Sequence, residues 1–298
     1  MTDILVVYKK NFEKVHDDSL EIVSDILEKV QKETEIKVNF RAREQVRRAD
    51  FIGRDLVIVL GGDGTLTSIS HNIDAETPVI GVNSHPLQND PNGSFGFYMD
   101  SNIATFSKDI KTALSGKAII NQIPRLQAII DTTSGNRFTT DPAMNDLLIA
   151  NTHQYAPSKY HLRRDGRKCK QQSSGMVFST WLGQGAWLNH IVDKNTMEVL
   201  REKANPSEIK KNYFVVSREI PHAQREKESW SWIDWTEKST VITSDMHRGY
   251  VVPDGWDEVH FNRGATITVN LEAPKLCLLT FRKTIVEKLE DLIKEGLI

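Results

Sequence analysis

The chain has 298 residues, and its 38 lysines and arginines nearly balance its 40 aspartates and glutamates. This balance excludes a general nucleic-acid or membrane-surface binder, because such proteins carry an excess of basic charge. We therefore expect small-molecule partners, with no nucleic acid and no membrane. The length suits roughly two domains of ordinary size.

The sequence shows no pattern of secretion, membrane insertion or metal ligation. Its apolar run at residues 4–8 is too short for a signal peptide, and no stretch approaches the roughly 20 apolar residues that span a bilayer. Cys169 and Cys277 lie far apart, and the histidines lack metal-ligand spacing. We expect a cytoplasmic protein without disulfides and without a metal site made of its own side chains.

The first part of the chain alternates predicted strands and helices. We predict strands at residues 4–8, 56–60 and 79–82. We predict helices at residues 17–32, 67–72 and 103–114. These segments either carry apolar residues at helical spacing or lie between predicted strands. This alternation predicts a Rossmann-like parallel sheet in an α/β domain over residues 1–116, with ligands beyond the carboxyl ends of the strands.

The sequence Gly-Gly-Asp-Gly-Thr at residues 61–65 follows the most apolar of these strands. Glycines allow a sharp turn, and they leave the N–H groups of Gly62, Gly64 and Thr65 open to a phosphate. Asp63 would repel a phosphate at close range, so we expect it to face a hydroxyl group, a metal ion or both. The alternative is an ordinary turn in which Asp63 only caps the next helix.

The remainder of the chain is rich in short predicted strands. They lie at residues 126–130, 146–150, 176–180, 213–216, 240–243, 266–271 and 276–281. Their spacing, with turn-forming residues between them, predicts an antiparallel β-sandwich domain over residues 117–281. Residues 282–298 return to helical spacing, and we predict a helix that can pack back on the first domain.

Four motifs in this order resemble those of the NAD kinases. They are Gly-Gly-Asp-Gly-Thr at residues 61–65, Gly-Val-Asn at 81–83, Asn-Asp at 145–146, and the segment that begins with Ser and ends with Trp at 174–187. The resemblance implies an α/β domain followed by a β-sandwich domain. It also implies transfer of the γ-phosphoryl group of ATP to the adenosine-ribose 2′-hydroxyl of NAD, with Mg²⁺, and assembly as a homodimer or larger homo-oligomer.

The resemblance assigns roles to particular residues. Asp63 corresponds to the catalytic residue of the family, and Asn145 with Asp146 corresponds to an Asn-Glu pair that holds the ribose hydroxyls of NAD. The phosphate- and nucleotide-binding residues implied are Gly61, Gly62, Gly64, Thr65 and Asn83. The remaining NAD-binding residues implied, which include base contacts from Thr180 and Trp187, are Ser174, Thr180, Ala186 and Trp187.

The motif at residues 174–187 departs from the usual family pattern. Ser174 replaces an Asp, Leu182 and Gly185 replace hydroxyl residues, and Trp187 replaces a Tyr, which is closer to the mitochondrial-type NAD kinases. These changes leave recognition of the base open. The loop at residues 84–94 is also longer than in the family pattern, and it is either a rim that selects the nucleotide or a surface insertion.

Two other functions share some of these features. Lipid kinases of the diacylglycerol and sphingosine type have a similar glycine-Asp loop, but they continue into Glu-Val-x-Asn-Gly, where this chain has Ser-Ile-Ser-His-Asn at residues 68–72. A non-catalytic nucleotide-binding regulator is the second alternative. Retention of Asp63 opposes it, because a pure binder gains nothing from a carboxylate beside a phosphate. The sequence does not decide whether the acceptor is NAD or NADH, or whether the donor is ATP or polyphosphate.

Overall fold

The computed structural model describes residues 1–10, 14–88, 90–204, 209 and 211–298. The chain divides into two compact units. The first unit comprises Met1–Ile123 and Lys275–Leu297, and the second comprises Pro124–Pro274 together with Ile298. Across the described residues, no helix combines the length and the apolar character needed to cross a bilayer.

The first unit begins with alternating strands and helices. Its strands before the second unit are β1 Thr2–Tyr8, β2 Ile36–Ala42, β3 Leu56–Gly61, β4 Pro78–Asn83, β5 Ser101–Asn102 and β6 Ile119–Ile123. The helices among them are α1 Lys14–Glu33, α2 Arg48–Phe51, α3 Asp63–Ser70 and α4 Phe106–Leu114. In α1, Val23, Leu27 and Val30 form one buried face, because residues three or four apart lie on the same side of a helix.

The second unit contains most of the strands. They are β7 Gln127–Asp131, β8 Arg137–Thr139, β9 Asp146–Asn151, β10 Ser158–Arg164, β11 Arg167–Ser173, β12 Met176–Thr180, β13 Tyr213–Ser217, β14 Ile233–Thr236, β15 Thr240–Ser244, β16 Arg248–Pro253, β17 Val259–Asn262 and β18 Thr266–Asn270. The short helices are α5 Leu188–Ile191, α6 Lys194–Lys203, α7 His222–Lys227 and α8 Ser229–Trp232, with a 3₁₀ turn at Leu182–Gly185.

These strands form two six-stranded antiparallel sheets, ordered β11-β10-β15-β18-β7-β8 and β14-β13-β12-β9-β16-β17. Residues from both sheets share one core, including Leu162 and Ile267 from the first and Phe178 and Val251 from the second. This is the packing of a β-sandwich. The predicted fold class, a parallel-sheet α/β domain with a β-sandwich domain, is confirmed.

The last strand and helix return to the first unit as β19 Leu276–Thr280 and α9 Ile285–Lys294. The sheet of that unit has the order β2-β1-β3-β4-β19-β6, with β5 paired to β4, and β19 is parallel to β4 and antiparallel to β6. The prediction that residues 276–281 belong to the sandwich is therefore wrong. Boundaries predicted at residues 116 and 281 fall at 123 and 274, because β6 and β19 pair with each other.

Candidate functional site

The Gly-Gly-Asp-Gly-Thr segment at residues 61–65, called the glycine loop below, connects β3 directly to α3. Asp63 is therefore the first residue of the helix. A Cβ on Gly62 would lie 2.6 Å from Ser94 Oγ. A Cβ on Gly61 would overlap the side chain of Thr65. Both positions require glycine because neighbouring side chains pack against the main chain. Gly64 has open space on its Cβ side, so the first turn of α3 is accessible there.

The Asp63 carboxylate accepts three main-chain hydrogen bonds. Its Oδ2 accepts the N–H groups of Gly96 and Phe97, each at 2.9 Å, and its Oδ1 accepts the N–H of Tyr98 at 2.8 Å. An ionised carboxylate offers about four acceptor positions. One position therefore remains for a substrate hydroxyl group.

Opposing influences act on the protonation of Asp63. Burial raises its pKa, whereas the hydrogen bonds from Tyr98, Phe97 and Gly96 and the nearby Lys288 ammonium lower it, and burial prevails. A carboxylate whose pKa is raised towards the working pH is a more effective proton acceptor. The environment of Asp63 thus suits a general base.

The N–H groups predicted to bind phosphate do not all remain available. Thr65 N–H donates to Gly62 O at 2.9 Å, and Asp63 N–H donates to Ser94 Oγ at 3.3 Å. The first turn of α3 thus uses the Thr65 N–H, and its predicted contact with a phosphate stays a prediction. Gly62 and Gly64 line a cavity at this turn, and their role stays a prediction.

This cavity has a volume of about 250 Å³ and lies entirely in the first unit. Its walls come from the ends of β1, β2 and β4, from α1, from the glycine loop and from the segment at residues 85–94. The lining residues are Lys9, His16, Arg43, Gly62, Gly64, Thr65, Asn83, His85, Asn92, Gly93 and Ser94. Its position beyond the carboxyl ends of parallel strands is the one at which α/β sheets bind ligands.

Cationic side chains make this cavity suitable for a phosphate chain. Lys9 follows the end of β1, and none of the described carboxylates pairs with its ammonium. Arg43 donates from Nε at 3.0 Å and from Nη2 at 2.7 Å to Glu44 Oε1, which fixes the guanidinium at the rim. The N-terminus of α3 adds a favourable dipole for an anion.

The segment at residues 85–94 after β4 forms a loop that closes one side of the cavity. Ser94 N–H donates to His85 O at 2.7 Å, and Leu87 N–H donates to Ser94 O at 2.9 Å. The Asn83 side chain donates to Ser94 O at 3.1 Å and accepts His85 N–H at 3.1 Å. The Asn83 side chain therefore holds this loop in place at the cavity wall. Within the predicted loop at 84–94, Asn89 lies outside the described residues.

Two histidines of the cavity wall are held by neighbouring groups. His16 Nδ1 lies 2.7 Å from Ser84 Oγ, and His85 Nε2 lies 3.1 Å from Asp90 Oδ2. Their rings meet edge to face, with centroids 5.9 Å apart. These contacts orient both rings beside the space that a phosphate chain would occupy.

The predicted ribose-binding pair, Asn145 and Asp146, lies at the start of β9 in the second unit. Asp254 accepts the N–H groups of Met144 at 2.6 Å, Asn145 at 2.8 Å and Asp146 at 3.1 Å. In return, Asp254 N–H donates to Asp146 O at 2.8 Å. The main chain of the pair is therefore fixed from both sides.

Asp146 and Asp254 are buried carboxylates that influence each other. Burial, followed by the charge of Asp254, raises the pKa of Asp146 to about 7. Burial likewise raises the pKa of Asp254 to about 6, against the three N–H groups that it accepts. The first proton therefore binds to this pair near neutral pH.

Thr180 and Ser174 lie at opposite ends of β12. Thr180 is fully buried, and its hydroxyl donates to Met144 O at 2.6 Å and accepts Gly183 N–H at 3.0 Å. Its geometry gives it a structural role, since a base could reach this hydroxyl only if both bonds were broken. Ser174 Oγ donates to Glu219 at the other end of the strand. Their predicted contacts with NAD stay predictions.

Trp187 is half-buried and packs on the outer face of the sheet against Leu148, Ala150 and Val177. The Arg218 guanidinium lies 5.3 Å from the centroid of its ring. Ala186 precedes it, with its N–H bonded to the 3₁₀ turn. Trp187 therefore presents a partly accessible aromatic surface beside an arginine, and a nucleobase stacks well on such a surface.

Comparison with known proteins gives a consistent assignment. The model of the ATP-NAD kinase N-terminal domain matches residues 5–118. An NAD kinase of Thermoplasma volcanium is 22% identical over 80% of this chain and 79% of its own length. A probable NADH kinase of Oryza sativa is 24% identical over 81% of this chain and 73% of its own length.

These matches support the NAD kinase family. The resemblance predicted from the motifs is thus confirmed. An NAD kinase of Archaeoglobus fulgidus, solved in complex with ATP, shares the fold with a TM-score of 0.71 at 16% identity, over 99% of this chain and 98% of that chain. A yeast NADH kinase solved with NADH has the same score at 14% identity, over 98% and 88% of the two chains.

Several residues of the candidate site cannot be predicted from the motifs. Lys9 and Arg43 lie outside every glycine motif, and only their positions at the carboxyl ends of β1 and β2 indicate a role. Lys288 lies on the last helix, and only the fold brings it close to Asp63. Asp254 belongs to a Pro-Asp-Gly turn, which by itself is an ordinary turn sequence.

Proposed function

We propose that this chain is an NAD kinase that transfers the γ-phosphoryl group of ATP to the adenosine-ribose 2′-hydroxyl of NAD and so forms NADP. The observation that carries the proposal is the environment of Asp63. Its carboxylate is held by three N–H groups at the first turn of a helix, and that turn lines a cavity with cationic walls. Such a site combines a proton acceptor with a place for a phosphate chain.

Phosphoryl transfer depends mainly on positioning and on stabilisation of charge. Lys9, Arg43 and the N-terminus of α3 would bind the phosphate chain of ATP in the cavity. Asp63 would accept the proton of the attacking hydroxyl through the remaining lone pair of Oδ1. Asn145 and Asp146 would bind the ribose hydroxyls, since their side chains offer both an amide donor and carboxylate acceptors.

Mg²⁺ fits this site as a partner of ATP. Mg²⁺ prefers oxygen ligands, and it is commonly held by one or two carboxylates together with substrate phosphates and water. None of the described residues that line the cavity is a carboxylate, whereas Asn83, Asn92, Ser94 and Thr65 supply neutral oxygens. We therefore assign Mg²⁺ mainly to the phosphate oxygens of ATP, where it neutralises their charge.

The direct test supplies the purified protein with Mg-ATP and, in separate reactions, NAD, NADH or diacylglycerol, and identifies the phosphorylated product. We expect NADP from NAD, and the NADH reaction measures whether the reduced nucleotide is also accepted. Phosphorylated lipid would favour the lipid-kinase alternative. Binding of NAD without any product would favour a regulator and contradict the proposal. Replacing ATP by inorganic polyphosphate identifies the donor.

Two further expectations belong to this proposal. We infer a homodimer or larger homo-oligomer, which light scattering of the purified protein tests. We also infer a cytoplasmic location, which fractionation of the source cells tests. A monomer at all concentrations, or recovery in a membrane or secreted fraction, would contradict the respective inference.

A further inference from the structure

Lys288 lies on α9 and reaches the segment that binds Asp63. Its ammonium donates to Phe97 O at 2.6 Å and lies 3.5 Å from Gly96 O. The side chain is only 21% exposed, and Asp100 Oδ1 is 3.5 Å from Nζ. The shortest of these contacts is to a main-chain carbonyl, not to a carboxylate.

The carbonyl groups that Lys288 contacts belong to the same peptide groups that bind Asp63. One peptide group carries Gly96 C=O and Phe97 N–H, and the next carries Phe97 C=O and Tyr98 N–H. Both N–H groups donate to the Asp63 carboxylate, at 2.9 and 2.8 Å. The ammonium therefore lies on the carbonyl side of two peptide groups, and the carboxylate lies on the amide side.

We propose that Lys288 is a positioning residue for Asp63 that acts through these two peptide groups: it fixes the segment that holds the carboxylate and favours its ionised form. The inference rests on the proposed function, because it concerns the base of that reaction. A cation at a carbonyl oxygen polarises the peptide group and strengthens the hydrogen bond that its N–H donates.

The surrounding charges are consistent with this role. Burial raises the pKa of Asp63, and Lys288 acts against it. Burial lowers the pKa of Lys288, while Asp100 and Asp63 raise it. Arg282, between β19 and α9, lies 3.2 Å from Asp100 Oδ2 and 2.8 Å from Asp109 Oδ2 of α4. Arg282 thus partly neutralises the charge of Asp100. The ammonium of Lys288 is therefore not fully paired with Asp100 and still interacts with the carboxylate of Asp63.

The pH dependence of kcat separates this role from simple packing. Lys288→Met keeps most of the apolar stem and removes the charge, so the acidic limb of the kcat profile should move to higher pH by about one unit. Lys288→Gln keeps a donor for the carbonyls without the charge and should show the same shift. Lys288→Arg keeps the charge and should restore the limb towards its original position.

The control is Lys294→Met, since Lys294 is an exposed lysine of the same helix. Its profile should match that of the unchanged protein. An unshifted acidic limb in Lys288→Met and Lys288→Gln would overturn the inference, and so would an equal shift in Lys294→Met. This result is readable only if the unchanged protein makes NADP, which the test of the proposed function establishes separately.

A second measurement does not depend on activity. Thermal unfolding at pH 8 is compared for Lys288→Met, Asp63→Asn and the double variant, a cycle that isolates the interaction of the two residues. Loss of Lys288 should lower the melting temperature more when Asp63 is present than when Asn replaces it. Additive effects would overturn the inference even if the protein proves to be an active NAD kinase.

Discussion

Asp146 and Asp254 share one buried site, so the ionisation of Asp146 is expected to control nucleotide binding near neutral pH. Burial and Asp254 raise the pKa of Asp146 to about 7. Only the ionised carboxylate accepts hydrogen bonds from both ribose hydroxyls. As pH rises through about 7, Asp146 loses its proton, and the KM for NAD should fall.

The measurement for this prediction is the KM for NAD between pH 6 and 8. Asp146→Asn is the matched variant, because the amide keeps one acceptor oxygen but does not titrate. Its KM should vary little over the same range. A fall of equal size in both proteins would show that another group is responsible.

Lys9 is expected to bind the donor nucleotide and not the acceptor. A charged donor to a phosphate is worth roughly 1.5–3 kcal/mol, which corresponds to about tenfold or more in affinity. Lys9→Met should therefore raise the KM for ATP about tenfold and leave the KM for NAD unchanged. Lys10→Met is the control, since Lys10 is exposed and does not line the cavity. Equal effects of the two variants on ATP would remove Lys9 from the site.

At the level of single residues, the sequence indicates Asp63 as a candidate because glycines and an acid directly after an apolar strand form a local pattern. Lys288, Lys9 and Arg43 could not be predicted in the same way. Each lies in an ordinary charged stretch, and each reaches the site only when elements distant in the sequence pack together. Thr180 illustrates the opposite case, since its motif is evident but its hydroxyl is used within the fold.

At the level of elements, the junction of α3 with the loop at residues 85–94 determines the shape of the cavity. A Cβ on Gly62 would lie 2.6 Å from Ser94 Oγ and 2.7 Å from Ser94 Cβ. Overpacking of this kind typically costs about 1–3 kcal/mol. Gly62→Ala should therefore lower the melting temperature and raise the KM for ATP.

The matched variant for this junction is Ser94→Gly, which removes the clashing atoms. Combined with Gly62→Ala, it should give a protein close to Ser94→Gly alone, because the alanine then has space. Melting temperatures of the two single variants and the double variant check this expectation. A double variant that loses the sum of both single effects would contradict the packing described for the junction.

Two elements show why local patterns fall short. β2 was not predicted, because its sequence Ile-Lys-Val-Asn-Phe-Arg-Ala is that of an edge strand with several polar and only partly buried residues. β19 was predicted as a strand but assigned to the wrong sheet, because its apolar residues suit either a sandwich or a parallel sheet. The partner of a strand depends on the topology of the whole chain.

For the molecule as a whole, the first unit is completed only by the end of the chain. Asn121 of β6 donates to Thr280 Oγ1 at 2.9 Å and to Leu278 O at 3.3 Å, and it accepts Ile285 N–H at 2.9 Å. This buried side chain therefore connects β6, β19 and the start of α9. The connection joins the two separate segments of the chain that make up this unit.

Asn121→Ala should destabilise the first unit by about 1–3 kcal/mol, because it leaves a buried main-chain N–H group without its acceptor. Asn262→Ala, at an exposed position of β17, is the control and should have little effect. Denaturant unfolding of both variants measures the difference. Equal stability of the two variants would contradict the role assigned to Asn121.

The proposed NAD kinase reaction depends on Asp63 as the proton acceptor. General-base catalysis typically contributes about 10²–10⁴-fold. The most direct test measures NADP formation and NAD binding by the unchanged protein and by Asp63→Asn, which keeps the size of the side chain. We expect turnover to fall by about 10²–10⁴-fold while the affinity for NAD stays the same. Unchanged turnover by Asp63→Asn would contradict the account.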